Sequence, residues 1–367
     1  FRLMENLKGP RRALVGPWTH VYPHFGFPGP AIGFLQDSLR WWDRWLKDKK
    51  NEIESEPMLN IWMQENFRAD ASNPTVDGNW FGLKDWTPDE HSKKTFWLAN
   101  SKLDPSPRSE ISLEIRSPTT SGLKGGEWCP RDGGGMGPEF QMDQRQDDGC
   151  SLCFETDYLE EDFEILGKPT LNLDVAVDQP IAMLAIRLCD LTPTGKSSRI
   201  TFGLLNLCNR DGHNNPKSII PGERFTIQLQ LKSVAYRFLK GHRIRLAIST
   251  NYWPMAWPSP KRETVTVFSG SASLELPTTD NIDVIKLDEP FKQAEGAPEL
   301  LAHIESPEST AMNINYNVAT GETDLAYQTD DGVTYYPDID LSTQRTAANH
   351  YLIRDNNPTS ATVRMYR

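Results

Sequence analysis

The chain has 367 residues, more than one ordinary hydrophobic core holds, which indicates at least two domains. Its hydrophobic fraction of 38% and charged fraction of 24% are typical of a globular protein and exclude a disordered one. The net charge of −11, with 50 acidic against 39 basic residues, disfavours a nucleic-acid partner and an anionic membrane surface.

The first residues have the pattern of an amphipathic helix near its end. Residues 1–8 fit its last turns, and Gly9 and Pro10 are residues that commonly stop a helix. Because the start of this helix is missing, we expect an upstream polypeptide and interpret the chain as a fragment or a processed product.

A short strand, a loop and a long helix come next, an order typical of α/β folds. Residues 11–16 predict a buried strand, and a loop rich in proline, glycine and aromatic residues follows over 18–30. A helix is predicted over about residues 31–49, because apolar residues recur on one face. They are Leu35, Leu39, Trp42 and Leu46.

Other side chains of this helix have less specific roles. We interpret the tryptophans at 41, 42 and 45 as core packing with one ion pair. Asp37 and Asp43 could orient a histidine, but we expect solvated or paired helix carboxylates.

Strand patterns dominate the rest of the chain. Residues 58–63 predict a strand, and the turn-rich stretch over 73–88 has the composition of a linker. Short alternating strands joined by proline and glycine turns then predict a β-sandwich or jelly roll. The predicted strands cover 95–98, 151–155, 170–177, 181–189, 200–207, 225–231, 243–249, 264–268 and 272–276.

The last 70 or so residues are more polar. Residues 313–318, a turn at 320–322 and residues 325–328 predict a hairpin. Residues 362–367 predict a strand still in progress at the end of the chain, which indicates truncation.

His20 is the first candidate for chemistry. It follows a strand end in a loop, where α/β enzymes carry catalytic side chains, and a histidine there can move a proton near neutral pH. A structural loop histidine bonded to backbone is the alternative. His24 follows four residues later, but Pro23 and nearby glycines exclude the helix that a metal-binding pair would need. We interpret His24 as a pocket-lining or structural residue.

No nucleophile is evident in the sequence. A Gly-x-Ser-x-Gly elbow is missing, and no cysteine has an evidently electropositive setting. The glycine run over 132–137 lacks the ending of a phosphate loop and predicts a flexible surface loop. An odd number of cysteines fits a reducing compartment, so we expect a cytoplasmic protein. The five are Cys129, Cys150, Cys153, Cys189 and Cys208.

The pair Cys150 and Cys153 forms an isolated C-x-x-C motif. A structural zinc site would need a second pair or suitably spaced histidines, and none follows. We therefore interpret these cysteines as small apolar side chains and predict no metal site.

Four segments in order carry a family resemblance. They are residues 14–20 around His20, the helix residues 39–47, residues 58–63 with 86–88, and residues 239–249 with 253–260. Together they resemble the X-Pro dipeptidyl-peptidase/cocaine esterase family of α/β-hydrolases, over about residues 10–290. The first segment is similar to the family's catalytic-histidine loop, and the last to a late strand and loop of its jelly roll.

The resemblance implies a hydrolase domain with a helical cap, followed by a jelly roll of the galactose-binding-like type. Residues 1–88 would be the C-terminal part of the α/β-hydrolase domain, with its strand, histidine loop and helix. Residues 89–295 would be the all-β jelly-roll sandwich, and residues 296–367 a β-rich C-terminal extension.

The family's triad runs serine, aspartate, histidine in chain order, and only the histidine maps here, onto His20. The serine, the aspartate and the oxyanion-hole donors would precede Phe1. We therefore expect the isolated chain to be a poor catalyst or none.

The implied activity is acyl transfer to water on peptide, ester or amide substrates, without a cofactor. His20 would act as general base and then general acid. Trp18, Tyr22, Phe25 and Phe27 are candidates for lining the substrate pocket.

Two other interpretations remain open. The chain could be a non-catalytic β-sandwich module that binds carbohydrate or another ligand. Alternatively, it could pair with a separate N-terminal chain from the same precursor, which would bury exposed apolar surface of the helix over 31–49. Besides a small-molecule or peptide substrate and the upstream hydrolase segment, we expect no nucleic-acid or membrane partner. Homo-oligomerisation remains open.

Overall fold

The computed structural model describes residues 2–70, 74–86, 92–126 and 140–367. Within these ranges the chain forms three α-helices and 21 strands, arranged in three sheets. None of the helices in the described ranges has the length and apolar character needed to cross a membrane. Cys129, the glycine run at 132–137 and the predicted boundary between residues 88 and 89 lie outside the described residues.

The elements follow in chain order. The first are α1 (Arg2–Asn6), β1 (Ala13–Val15), α2 (Phe34–Lys47), β2 (Leu59–Glu65) and β3 (Gly78–Leu83). The next are β4 (Lys93–Ala99), β5 (Lys102–Asp104), β6 (Ser112–Ile115), α3 (Arg145–Asp148), β7 (Leu152–Glu155), β8 (Phe163–Gly167), β9 (Thr170–Val177), β10 (Met183–Leu191), β11 (Ser197–Asn206), β12 (Arg224–Gln230), β13 (Val234–Phe238), β14 (Arg243–Ser249), β15 (Val265–Pro277) and β16 (Ile285–Leu287). The last are β17 (His303–Ser306), β18 (Ser309–Asn317), β19 (Glu322–Tyr336), β20 (Leu341–Arg354) and β21 (Asn357–Tyr366).

The first sheet has six strands and is built around β2. Its order is β16-β3-β2-β13-β8, and β1 also pairs with β2. Strand β2 is antiparallel to β3 and parallel to both β1 and β13. Leu59, Ile61 and Met63 of β2 are at most 1% exposed, so their burial holds this sheet together.

The linker prediction over 73–88 is wrong for its described part. Gly78–Leu83 forms strand β3, which pairs with β2 on one side and β16 on the other. Trp80, Phe81 and Leu83 are buried there. The glycines and polar residues around this short strand hid its apolar pattern.

The second sheet has ten strands folded around one core. Its order is β11-β10-β14-β7-β5-β4-β15-β9-β12, with β6 paired to β15. Among the described residues, one parallel pair, Lys102 with Glu155, joins the β5 side to the β7 side. Apolar residues from both sides share one buried cluster, so the two halves pack as a sandwich. The predicted all-β sandwich is confirmed.

Alternation decides which residues enter this core. In β9, Leu171, Leu173 and Val175 are buried, whereas the intervening Asn172 and Asp174 are partly exposed. The predicted bounds of β9 and β14 agree with the structure. The strands predicted at 264–268 and 272–276 are instead one strand, β15, with a register shift between them.

The third sheet is antiparallel and has five strands. Its order is β17-β19-β20-β21, with β18 also paired to β19. The predicted hairpin is confirmed, since Ile314 of β18 lies opposite Leu325 of β19. Leu325 and Ile353 pack in one cluster with Leu123 and Trp253, which belong to loops of the sandwich.

Helix α2 is present, but its apolar face is open to solvent. The predicted stripe residues Leu35, Leu39, Trp42 and Leu46 are 45%, 57%, 52% and 73% exposed. No part of the chain that the structure describes covers them. The prediction of core packing is therefore wrong for Trp42.

Charged side chains attach α2 to the rest of the chain. Arg12, just before β1, pairs with Asp37 at 2.5 Å and with Glu56 at 3.0 Å, and Arg40 pairs with both acids as well. Asp43 pairs with Lys47 and Lys49. The prediction of paired helix carboxylates is confirmed. Strand β1 is only half-buried, in contrast to the buried strand expected over 11–16.

Candidate functional site

The His20 loop, defined here as residues 16–33, connects β1 to α2 and is closed by its own hydrogen bonds. Trp18 donates from Nε1 to the carbonyl of Pro30 at 2.8 Å. Thr19 donates from its backbone N–H (2.9 Å) and from Oγ1 (3.0 Å) to the carbonyl of Phe27. These bonds hold the backbone beside His20 to the opposite side of the loop.

Two positions in this loop require glycine. Gly26 has a φ of +61°, and a Cβ there would lie 2.4 Å from Cα of Ala31. A Cβ on Gly16 would lie 2.4 Å from the ring of Trp18. The glycines therefore allow the close turns that bring the two sides of the loop together.

The imidazole of His20 is exposed, and it has no hydrogen-bond partner among the described residues. The structural alternative, a histidine held by backbone bonds, has no support in the described geometry. A free imidazole on a fixed loop could accept and donate a proton.

His24 has a different environment. Its ring stacks on Phe34 at 6.3 Å, lies 4.3 Å from the ring of Phe25 and 5.8 Å from that of Tyr22. Its Nδ1 is buried and has no hydrogen-bond partner in the described part of the chain. This packing agrees with the interpretation of His24 as a structural or pocket-lining residue.

The other aromatic candidates divide into two groups. Trp18 is half-buried, and its ring lies 6.0 Å from that of Trp80, so it packs the loop against β3. Tyr22 and Phe25 are 64% and 67% exposed and remain free to contact a ligand. Phe27 lies 6.1 Å from Phe140.

Phe140 was not predicted from the sequence. It lies shortly before α3, far from the His20 loop along the chain, yet its ring contacts Phe27. The glycine-rich stretch that precedes it gave no signal of such a contact. Through Phe140, the described part of the sandwich reaches the loop that carries His20.

Two of the described cysteines, Cys153 and Cys189, are unsuited to act as nucleophiles. Cys150, Cys153, Cys189 and Cys208 are unpaired thiols. Burial raises the pKa of Cys153 and of Cys189 to about 12, because the thiolate is poorly solvated there. In the ranges that the structure describes, no three His, Cys, Asp or Glu side chains group in a way that could hold a metal ion.

The fold places the chain among β-sandwich proteins, and sequence comparison identifies which kind. Residues 51–286 match the family model described as the X-Pro dipeptidyl-peptidase C-terminal non-catalytic domain. The chain belongs to this family, and the predicted family resemblance is confirmed. His20 precedes the matched range.

Individual relatives are hydrolases. The cocaine esterase of Rhodococcus sp. (strain MB1 Bresler) is 22% identical over 263 residues, which cover 66% of this chain and 44% of the esterase. An α-amino acid ester hydrolase structure has 19% identity and a TM-score of 0.57, covering 73% of this chain and 50% of that one. A CocE/NonD family hydrolase from Staphylococcus aureus has 13% identity and a TM-score of 0.51, covering 66% and 45%.

The similarity to these relatives is low in identity and covers only part of their length. At such low identities, the two solved structures support the fold alone. The chain spans 40–44% of the length of the curated relatives that match it over 261 to 263 residues. The relatives are therefore longer proteins, and this chain matches less than half of each.

Proposed function

We propose that this chain is the C-terminal portion of a serine hydrolase and that His20 is the histidine of its catalytic triad. The observation that carries the proposal is the exposed, unbonded imidazole of His20 on a loop closed by its own hydrogen bonds, directly after strand β1. A fixed loop places a proton-transfer group with little loss of conformational entropy. The description of the family as non-catalytic applies to residues 51–286 and does not include His20.

In this mechanism His20 takes the proton of an upstream serine as general base. It then returns the proton to the leaving amine or alcohol as general acid. The serine, the aspartate that orients His20 and the oxyanion donors come from the upstream hydrolase segment. The substrates are peptides, esters or amides, in keeping with the names of the relatives, and the reaction needs no metal or organic cofactor.

The geometry also supports assignments for the substrate pocket. The exposed rings of Tyr22 and Phe25 line its outer side, and the contact between Phe27 and Phe140 forms a wall to which the sandwich contributes. Trp18 packs the loop rather than binding substrate.

The proposed domain division follows from this role. Residues 1–88 complete an α/β-hydrolase domain, and the last part of this segment, residues 51–88, also lies within the range that matches the C-terminal family model. Residues 89–295 form a jelly roll of the galactose-binding-like type, and residues 296–367 form an extension. The exposed apolar face of α2 is the surface that the upstream hydrolase segment covers, since apolar patches of this kind mark interaction sites.

A labelling experiment tests the role of His20. The chain is expressed with its upstream coding segment and treated with a fluorophosphonate probe, which reacts with an activated serine. We expect labelling of the longer protein and no labelling of the isolated chain. His20→Ala in the longer protein should lower kcat for ester hydrolysis by about 10⁴-fold or more.

His24→Phe is the matched control, because it removes an imidazole from the same loop but keeps the ring stacking on Phe34. It should retain most of the activity. Full activity of His20→Ala, or equal losses in the two variants, would refute the assignment.

A non-catalytic binding module is the second candidate, favoured by the description of the matched family and by one surface feature. Trp257 is 62% exposed beside a cavity of about 240 Å³ that also includes Ile181 and Asn206. An exposed indole can stack on a sugar ring. Glycan-array binding by this chain that Trp257→Ala removes would support the second candidate.

A further inference from the structure

We infer that Gln144 and Arg187 are positioning residues that couple the sandwich to the His20 loop. The inference rests on the proposed function for its meaning in catalysis, but the coupling itself is a property of this chain. Four contacts, each leading to the next, run from the core of the sandwich to Thr19.

The first contact joins two segments that lie apart in the sequence, one at residue 124 and one at residue 142. Gln144 is 0% exposed, and its Nε2 donates to the carbonyls of Lys124 (2.8 Å) and Met142 (2.6 Å). The backbone N–H of Met142 also donates to the carbonyl of Lys124 at 3.0 Å. The side chain of Gln144 therefore holds residues 124 and 142 together.

The second contact attaches Gln144 to a central strand. Arg187 lies in β10, which is paired on both sides, and is 1% exposed. Its Nη1 donates to Oε1 of Gln144 at 3.1 Å and pairs with Asp148 at 2.9 Å, and its Nη2 donates to Oγ of Ser151 at 2.8 Å. The amide of Gln144 is thereby bonded through both its oxygen and its nitrogen.

The third contact holds residues 122–124 through the side chain of Asp147. Oδ1 of Asp147 accepts from the backbone N–H of Gly122 at 3.0 Å, and Oδ2 accepts from that of Lys124 at 3.3 Å. Asp147 is 3% exposed, so these bonds are shielded from water. Lys124 is therefore held through its N–H by Asp147 and through its carbonyl by Gln144.

The fourth contact leads to the His20 loop. Phe140 is two residues before Met142, and its ring lies 6.1 Å from Phe27. The carbonyl of Phe27 accepts both hydrogen bonds from Thr19, the neighbour of His20. A displacement at Met142 is therefore passed through Phe140 and Phe27 to the residue next to His20.

Stability alone does not explain a buried cluster of this composition. Burying an arginine and two carboxylates costs desolvation energy, and well-packed apolar residues would stabilise a sandwich core equally well. A polar cluster with directional hydrogen bonds, such as those of Gln144 to residues 124 and 142, instead imposes one geometry on the groups that it joins. Here it joins the segments that reach the His20 loop.

Amide hydrogen exchange on this chain tests the coupling. Gln144→Met keeps the side-chain volume but removes the hydrogen bonds to residues 124 and 142. We expect exchange at the N–H groups of Met142 and Thr19 to increase about tenfold each. Gln144→Glu is the second variant, because its carboxylate still accepts from Arg187 but cannot donate to the two carbonyls.

The matched control lies in the same strand as Arg187. Asp190 is 1% exposed, accepts from Oη of Tyr236 at 2.7 Å and pairs with Nδ1 of His242 at 2.8 Å. Asp190→Asn should therefore disturb the sandwich without changing exchange at Thr19. Increased exchange at Met142 without a change at Thr19 overturns the inference, as does an equal change at Thr19 in Asp190→Asn.

A kinetic measurement tests the effect of this coupling on catalysis. In the longer protein with its upstream segment, Gln144→Glu should lower kcat/KM about tenfold, mainly through KM, because the pocket wall is displaced while His20 is retained. Failure of His20→Ala to affect turnover would refute the proposed function alone. The exchange result would still decide whether the coupling exists.

Discussion

At the scale of single residues, Glu263 shows how burial changes a carboxyl group in this protein. It is 3% exposed, and its Oε1 accepts from the backbone N–H of Met183 at 3.0 Å and from Oγ of Ser259 at 2.8 Å. Burial raises its pKa above the ordinary value of 4.5, and the two hydrogen bonds offset this only in part.

The pKa shift of Glu263 predicts a pH-dependent effect of Glu263→Gln. A raised pKa in the folded state means that the carboxyl contributes stability below about pH 4.5, which is lost as the pH rises through the folded-state value. Gln is neutral at every pH and can still accept both hydrogen bonds. We therefore expect Glu263→Gln to gain stability relative to the parent chain, by on the order of 1 kcal/mol, between pH 4 and pH 8.

Urea unfolding of both chains at the two pH values measures this difference. Glu223→Gln is the control, because Glu223 is exposed and its substitution should leave the difference unchanged. If the relative stability of Glu263→Gln fell as the pH rose, the assigned direction of the pKa shift would be wrong.

At the scale of elements, helix α2 shows what periodicity can and cannot predict. The spacing of its apolar residues predicted a helix over about 31–49, and the structure has one over Phe34–Lys47. The same spacing predicted a buried face, yet that face is exposed. Local sequence determines the helix and its stripe, whereas burial of the stripe depends on tertiary contacts that periodicity does not identify.

The exposed face of α2 predicts that polar substitutions there are tolerated. Leu39→Lys combined with Leu46→Lys should change the free energy of unfolding of this chain by less than about 0.5 kcal/mol, because both side chains already contact water. The variant should also bind less of a hydrophobic dye such as ANS.

Trp41→Ala provides the contrast, since Trp41 is half-buried and its ring lies 5.7 Å from that of Trp45. It should destabilise the chain by about 1–3 kcal/mol. Urea unfolding compares the variants. A loss of more than about 2 kcal/mol in the double lysine variant would show that this chain buries the face itself.

The candidate site was predictable only where its signal is local. His20 could be named as a candidate because a strand, a loop and a helix in sequence give it a context, and the closing bonds from Trp18 and Thr19 lie within the same loop. The contact of Phe27 with Phe140 could not be identified, because it joins segments far apart in the chain. Strand β3 was missed since its few apolar residues lie among glycines and polar residues.

At the scale of the whole molecule, the C-terminal sheet is attached to the sandwich through the loops that lead towards the candidate site. Ile353 is 0% exposed and packs in one cluster with Trp253 and Leu123. The carbonyl of Arg354 accepts from Oγ1 of Thr119 at 3.1 Å. The backbone N–H of Trp253 donates to the carbonyl of Ser121 at 2.8 Å, so the cluster supports the loop that contains residues 119–123.

Truncation of Ile353 should therefore destabilise more than its own sheet. Ile353→Ala removes a fully buried side chain and should lower the free energy of unfolding by about 2–4 kcal/mol. Because Trp253 lies in the same cluster and is 0% exposed, its fluorescence should shift to longer wavelength at lower urea concentration than in the parent chain. Val318→Ala is the control, since Val318 is 83% exposed in the turn between β18 and β19 and should change stability by less than about 0.5 kcal/mol. Equal effects of the two variants would show that the C-terminal sheet is not packed on the sandwich in solution, and that its strands do not support the loop at residues 119–123.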